Sequence, residues 1–132
     1  VVVILGILAA IVVPKIISRP EQARIVRAQQ DITAIESALD LYKLDNGSYP
    51  TTDQGLSALV SKPTTEPAPQ NWKKYLKDLP IDPWNKPYHY LNPGIHNDVD
   101  IFSYGPTGQP GGTGEKAQIG NWKVNAIKNN NG

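Results

Sequence analysis

A chain of 132 residues carries one domain and not comfortably two. Charged residues make up 19% of it and the formal net charge is +1, so no strong basic field is available to gather nucleic acid. Cysteine is absent, which excludes disulfide scaffolds, thiol nucleophiles and cysteine metal sites together.

The chain opens on an apolar run, Val1 to Val13 (VVVILGILAAIVV), without one charged or hydrogen-bonding side chain. A helix needs about 20 apolar residues to cross a bilayer, so the run alone is short. Methionine is also absent, and the opening in mid-run reads as a truncated or processed N-terminus, with a few upstream residues completing a span. A buried core helix is the alternative. A cleaved secretory signal is disfavoured, because no small-residue cleavage site is followed by a fresh start.

After Pro20 the pattern becomes periodic. Ile25, Ala28, Ile32, Ile35, Leu39 and Tyr42 recur at spacings of three and four, the stripe of an amphipathic helix. Arg24, Arg27, Asp31, Glu36, Asp40 and Lys43 are expected on the opposite face, and Asn46-Gly47 is the expected stop. Pro14 and Pro20 should bend or loosen the join without necessarily ending the helix. One long helix of two characters is the outline of a membrane-anchored stalk carrying a head. The division expected is 1–17 for the hydrophobic anchor and 18–132 for the head, which includes the amphipathic half of the helix.

A second short helix is expected around Leu56, Leu59 and Val60, capped by Thr52 or Asp53 and stopped by Pro63. Pro63 to Pro69 is a loop by composition. Trp72, Tyr75 and Leu76 suggest a further helical turn, and Leu79 to Pro83 should run extended. Tyr88 to Leu91 reads as a strand, Asn92-Pro93-Gly94 as its turn and Val99 to Tyr104 as its partner. A glycine-rich loop from Gly105 to Gly114 precedes a third strand over Ile119 to Trp122, and Asn129 to Gly132 should be disordered. The fold class is therefore α+β, with the stripe of the long helix covering a small antiparallel sheet of about three strands.

Catalytic chemistry is hard to find. His89 and His96 are lone residues without the i,i+4 pairing of a helical zinc motif, and read as surface or packing residues. No serine sits in a Gly-x-Ser-x-Gly elbow, and Ser103 has no nearby base. The loop from Gly105 to Lys116 fails as a phosphate loop, because Glu115 separates the last glycine from Lys116 and Ala117 follows. Glu36 and Asp40 lie one turn apart on the helix; they form either a solvated face, a local pair with Lys43, or a contact with a basic residue of a neighbouring subunit, for which Lys77 is a candidate. No catalytic or cofactor-binding residue is assigned.

The order of segments resembles the major pseudopilins of bacterial type II secretion, within the wider type IV pilin superfamily. The carrying residues are Val1 to Pro14, Ala38 to Val60 (ALDLYKLDNGSYPTTDQGLSALV) and Leu79 to Tyr90 (LPIDPWNKPYHY), with Asp100 to Gly105 (DIFSYG) and Ile119 to Trp122 (IGNW) adding to them. The resemblance implies a single-pass inner-membrane anchor with the head in the periplasm, cleaved and methylated by a prepilin peptidase. It implies assembly with itself into a helical periplasmic filament, the pseudopilus, that moves folded proteins through the outer-membrane secretin. Minor pseudopilins, an inner-membrane assembly platform and a cytoplasmic ATPase are the implied partners, along with the lipid bilayer before assembly and no nucleic acid. A helix apolar on all sides is stable in lipid and equally so at the centre of a filament. Val1, Ile4, Leu5 and Leu8 are therefore expected in filament assembly, as are Ile11, Gly6 and Pro14, the last two being weak points where the helix loosens within the filament. Glu36, Asp40 and Lys77 are the expected assembly residues of the head.

Two departures stand out. Where the family has Gly-Asn-Pro-Tyr after the DPW tryptophan, this chain has Asn85-Lys86-Pro87-Tyr88, and asparagine tolerates the left-handed backbone that a turn there needs. Many members bind calcium in the loop before the third strand, using a carbonyl that would belong to Tyr104. Thr107 and Gln118 stand where acids are expected, and Glu115 is the only acid between Tyr104 and Trp122. Calcium prefers several charged oxygens, so the site is expected to be lost or much weakened, with Glu115–Lys116 pairing or plain packing ordering the loop. A surface type IV pilin is the runner-up, but such pilins usually pin their C-terminal region with a disulfide. A minor pseudopilin and a membrane-tethered enzyme are further alternatives.

Overall fold

The computed structural model describes residues 2–110 and 118–122, with side chains from residue 20 onward. One helix, α1 (Val2–Asn46), takes up the first third of the chain and runs unbroken through Pro14 and Pro20. Both prolines are thus tolerated without ending it, as expected. Ala28, Ile32, Ile35, Leu39 and Tyr42 are buried and Ile25 packs against them at the margin. At roughly 1.5–3 kcal/mol for each large apolar side chain removed from water, this stripe is the main tie between helix and head. The helix stops where its backbone can be sealed. Gly47 takes φ +88 and its amide donates to the Lys43 carbonyl at 2.7 Å, while Asn46 Nδ2 donates to the Tyr42 carbonyl at 3.0 Å. Among the described residues no helix is long and apolar enough to cross a membrane. The side chains of the apolar run, from Val1 to Pro14, lie outside the described residues, as do Glu115, Lys116 and the tail 129–132.

The sheet is antiparallel, ordered β1 (His89–Leu91), β2 (Asp100–Ser103), β3 (Ile119–Gly120). Register places His89 opposite Phe102, Tyr90 opposite Ile101, and Phe102 opposite Gly120. Alternation then sends Tyr90, Ile101 and Ile119 into the core with the α1 stripe, and His89 and Phe102 to the outer face. The strands are shorter than the alternation predicts. Tyr88, Val99 and Tyr104 lie just outside them, and the chain turns helical at Asn121 and Trp122 rather than continuing β3.

Two other local expectations need correcting. The second helix is a single 3-10 turn, Leu56–Leu59, headed by Gly55 at φ +67 without a side-chain cap. Thr52 and Asp53 do not cap it. The reciprocal pair sits one residue earlier: Gln54 N donates to Thr51 Oγ1 at 3.1 Å and Thr51 N to Gln54 Oε1 at 3.0 Å. The stretch around Trp72, Tyr75 and Leu76 is not helical. The amides of Tyr75 and Leu76 both donate to the Leu59 carbonyl and Trp72 Nε1 donates to the Ala58 carbonyl at 2.7 Å, so this backbone is satisfied by its neighbour instead of by a turn of its own.

Candidate functional site

On α1, a residue turns the helix by about 100°, which places Val26, Gln30, Ala34, Ser37, Leu41 and Leu44 on one line directly away from the core stripe. All six are exposed. Val26 keeps 50% of its surface, Leu41 52% and Leu44 78%. Arg27, Asp31, Glu36 and Asp40 flank this line instead of occupying it, which corrects the expectation of a charged outer face. The sequence does carry the signal, as a second i, i+4, i+7 series offset from the first, with small residues in place of bulky ones.

Along one border of this face lies a hollow of about 150 Å³ lined by Glu36, Asp40, Tyr49, Asn97, Asp98, Val99 and Asn121. Asp40 Oδ1 accepts from the Tyr49 hydroxyl at 2.9 Å and Glu36 Oε2 accepts from Asn121 Nδ2 at 2.9 Å. The local Lys43 pair does not form: its ammonium lies 4.8 Å from the centre of the Tyr49 ring. Burial, the bond to Asp40 and the charges of Asp40, Asp98 and Glu36 push the Tyr49 hydroxyl up to about 12. The hollow is therefore negative, suited to a cation. Lys77 is exposed and makes no ion pair among the described residues. Tyr49, Asp98 and Asn121 were not singled out by the sequence, because loops bring them to the helix from 9 to 85 positions away.

The turn that carries Asn85 is closed by Asp82. Its Oδ1 accepts from the amides of Trp84 (3.0 Å) and Lys86 (2.8 Å), and its Oδ2 accepts from Ser103 Oγ at 2.7 Å. Asn85 takes φ +64, the left-handed backbone expected where the family has glycine. In the sequence Asp82 stands within the DPW segment, and an Asp followed by Pro-Trp is the pattern of an Asx turn.

For calcium, the donor set is poor. Thr107 Oγ1 is taken up by the backbone of Gln109, donating to its carbonyl and accepting from its amide. The Asp82 carboxylate, which shares a hollow with Tyr104, already accepts three protein hydrogen bonds. Glu115 lies outside the described residues, and among the described residues no group of three or more His, Cys, Asp or Glu is placed to hold a metal. The described donors, Thr107 and Asp82, are a poor set for a calcium ion. The histidines pack: His89 lies against Phe102 and Tyr104, with ring centres 5.2 and 4.5 Å away, and His96 stacks on Trp122 at 3.9 Å.

Comparison with known proteins bears on this arrangement. The family model described as type II secretion system (T2SS), protein G, matches residues 15–122. A type II secretion system core protein G of Pseudomonas aeruginosa is 59% identical over 124 residues, covering 92% of this chain and 87% of that protein. One from Vibrio cholerae is 55% identical over 126 residues, covering 94% and 86%. The crystal structure of the major pseudopilin from the type 2 secretion system of enterohaemorrhagic Escherichia coli superposes with a TM-score of 0.74 at 48% identity, covering 81% of this chain and 89% of that one.

Proposed function

Because this chain belongs to the type II secretion system protein G family, the major pseudopilins, we propose that it is the repeating subunit of a periplasmic pseudopilus that drives folded proteins through the outer-membrane secretin. The family is one of structural subunits and not of enzymes. The observation that carries the reading is the exposed stripe from Val26 to Leu44 on α1. A monomer gains nothing by presenting such a line to water, whereas helix-on-helix packing of copies buries it with small residues at the crossing points.

In this account the apolar run sits in the inner membrane before assembly and at the filament axis afterwards, with Gly6 and Pro14 loosening the helix there. Prepilin peptidase, minor pseudopilins and the assembly platform act on or with it. Glu36 and Asp40 receive the Lys77 ammonium of a neighbouring copy, a rim contact that guides register more than it adds affinity. The experiment is complementation. A strain deleted for this chain should retain its exoproteins in the periplasm, and the wild-type chain should restore export. Leu41→Asp combined with Leu44→Asp should not restore it, although its head melts at the wild-type temperature. Export unaffected by the deletion would overturn the function, and full rescue by the double variant would overturn the stripe as the assembly face.

A further inference from the structure

Residues 119–122 make four successive contacts, each of a different kind. Ile119 enters the core. Asn121 is 2% exposed and ties three places together: its Nδ2 donates to Glu36 Oε2 on α1 and to the Val99 carbonyl, both at 2.9 Å, and its Oδ1 accepts from the Ile101 amide at 3.1 Å. Trp122 folds back so that its indole lies over Gly120, where a Cβ would come within 2.4 Å of the ring. The same indole stacks on His96, with ring centres 3.9 Å apart and planes 11° from parallel. His96 is itself fixed by Asp100, whose Oδ2 lies 3.1 Å from His96 Nδ1 and which accepts the amides of Ile95, His96 and Asn97. Phe102 touches the same indole from the outer face of the sheet, at 5.9 Å.

We infer that this segment is a metal-free latch: Asn121 and Trp122 fasten the C-terminal part of the chain to α1 and to the β1–β2 hairpin without calcium. The resemblance implies a metal for the adjoining loop, yet among its described donors Thr107 is uncharged and Asp82 already accepts three protein hydrogen bonds, while the latch is complete from protein groups alone. Glycine at 120 is part of the device, since any side chain there displaces the indole from His96. Asn121 also sets the direction of the Glu36 carboxylate in the acidic hollow, so the latch orders a face of the head as well as its end.

The test uses the full chain in detergent. Thermal midpoints are measured with calcium and with a chelator, for the wild type and for Asn121→Ala, Gly120→Ala and Trp122→Phe. Binding at a hundred times the dissociation constant would raise the midpoint by on the order of 10 °C. No calcium-dependent shift is expected in the wild type. Asn121→Ala should lower the midpoint by roughly 10 °C, Gly120→Ala by about half of that, and Trp122→Phe, which keeps a ring on His96, by less than either. A calcium-dependent rise in the wild type would overturn the inference without any variant having to fold. Wild-type midpoints for both Asn121→Ala and Gly120→Ala would overturn it equally.

Discussion

Truncating Asp82 should be among the most damaging single changes in the head, although it is neither catalytic nor part of the apolar core. The carboxylate is 3% exposed and serves three donors, the amides of Trp84 and Lys86 and the hydroxyl of Ser103. Ser103 is fully buried and its Oγ also accepts the Gly105 amide, so the effect reaches the start of the loop beyond β2. A buried donor left unpaired costs about 1–3 kcal/mol. Trp84 and Lys86 are partly open to water, which can replace the carboxylate for their amides. Asp82→Ala is therefore expected to cost about 2–4 kcal/mol, mostly from the Ser103 hydroxyl with a smaller part from the two amides. Asp82→Asn keeps an acceptor for the two amides but sets an NH2 against Ser103, orphaning the hydroxyl proton, for about 1–2 kcal/mol. Urea unfolding followed by circular dichroism gives both values as midpoint shifts at constant slope. Asp82→Ala with Ser103→Ala should cost less than the sum of the two, because they remove one shared bond. An Asp82→Ala loss within about 0.5 kcal/mol of zero, or strict additivity of the pair, would refute the reasoning.

Leu39→Ala removes a fully buried side chain at the centre of the α1 stripe and should cost about 2–5 kcal/mol, read by the same unfolding curves. Asn85→Gly should change stability by less than about 0.5 kcal/mol, since glycine accepts φ +64, whereas Asn85→Val should cost about 1–2 kcal/mol. Burial alone would raise the Asp100 carboxyl, but the amides of Asn97 and Ile95 and the His96 ring and amide outweigh it and hold it below its ordinary 3.8. Its contribution is thus complete above that value and lost as pH falls through the lower folded one; Asp100→Asn should flatten this acid limb of the midpoint-against-pH curve. Burial raises the hydroxyls of Tyr88 and Tyr90, helped in Tyr88 by its bond to Asp31, and Tyr49 lies at about 12. Their stabilisation is full below pH 10 and lost as pH climbs through the folded values, so ultraviolet tyrosinate absorbance should rise together with unfolding; free titration of all tyrosines near 10 in a folded chain would contradict this.

What could be read from the sequence was what local periodicity writes. The α1 stripe, its stop at Asn46-Gly47 and the three strands follow from spacings of three, four and two, and the α+β class follows from them. The turn around Trp72 was misread because its amides are satisfied by Leu59, a partner that no local pattern shows. The outer face of α1 is hard to read because its charged residues flank the far line, while small residues such as Ala34 and Ser37 occupy it. The polar ties were least legible. Asp82 reaches Ser103 across 21 positions and Asn121 reaches Glu36 across 85, so their partners are set by topology. Glu36 and Asp40 could be proposed from one helical turn of spacing, but the acidic hollow needed Asp98 and Tyr49, which the hairpin and the post-helix loop deliver.

The measurement that bears most directly on the central claim is an electron cryomicroscopy reconstruction of the filament assembled from the full chain. The account predicts a helical polymer in which Val26, Ala34, Leu41 and Leu44 are buried against a neighbouring copy and the Glu36–Asp40 hollow faces a basic side chain. A filament in which that line of α1 faces solvent, or a chain that stays monomeric under conditions where export proceeds, would contradict it.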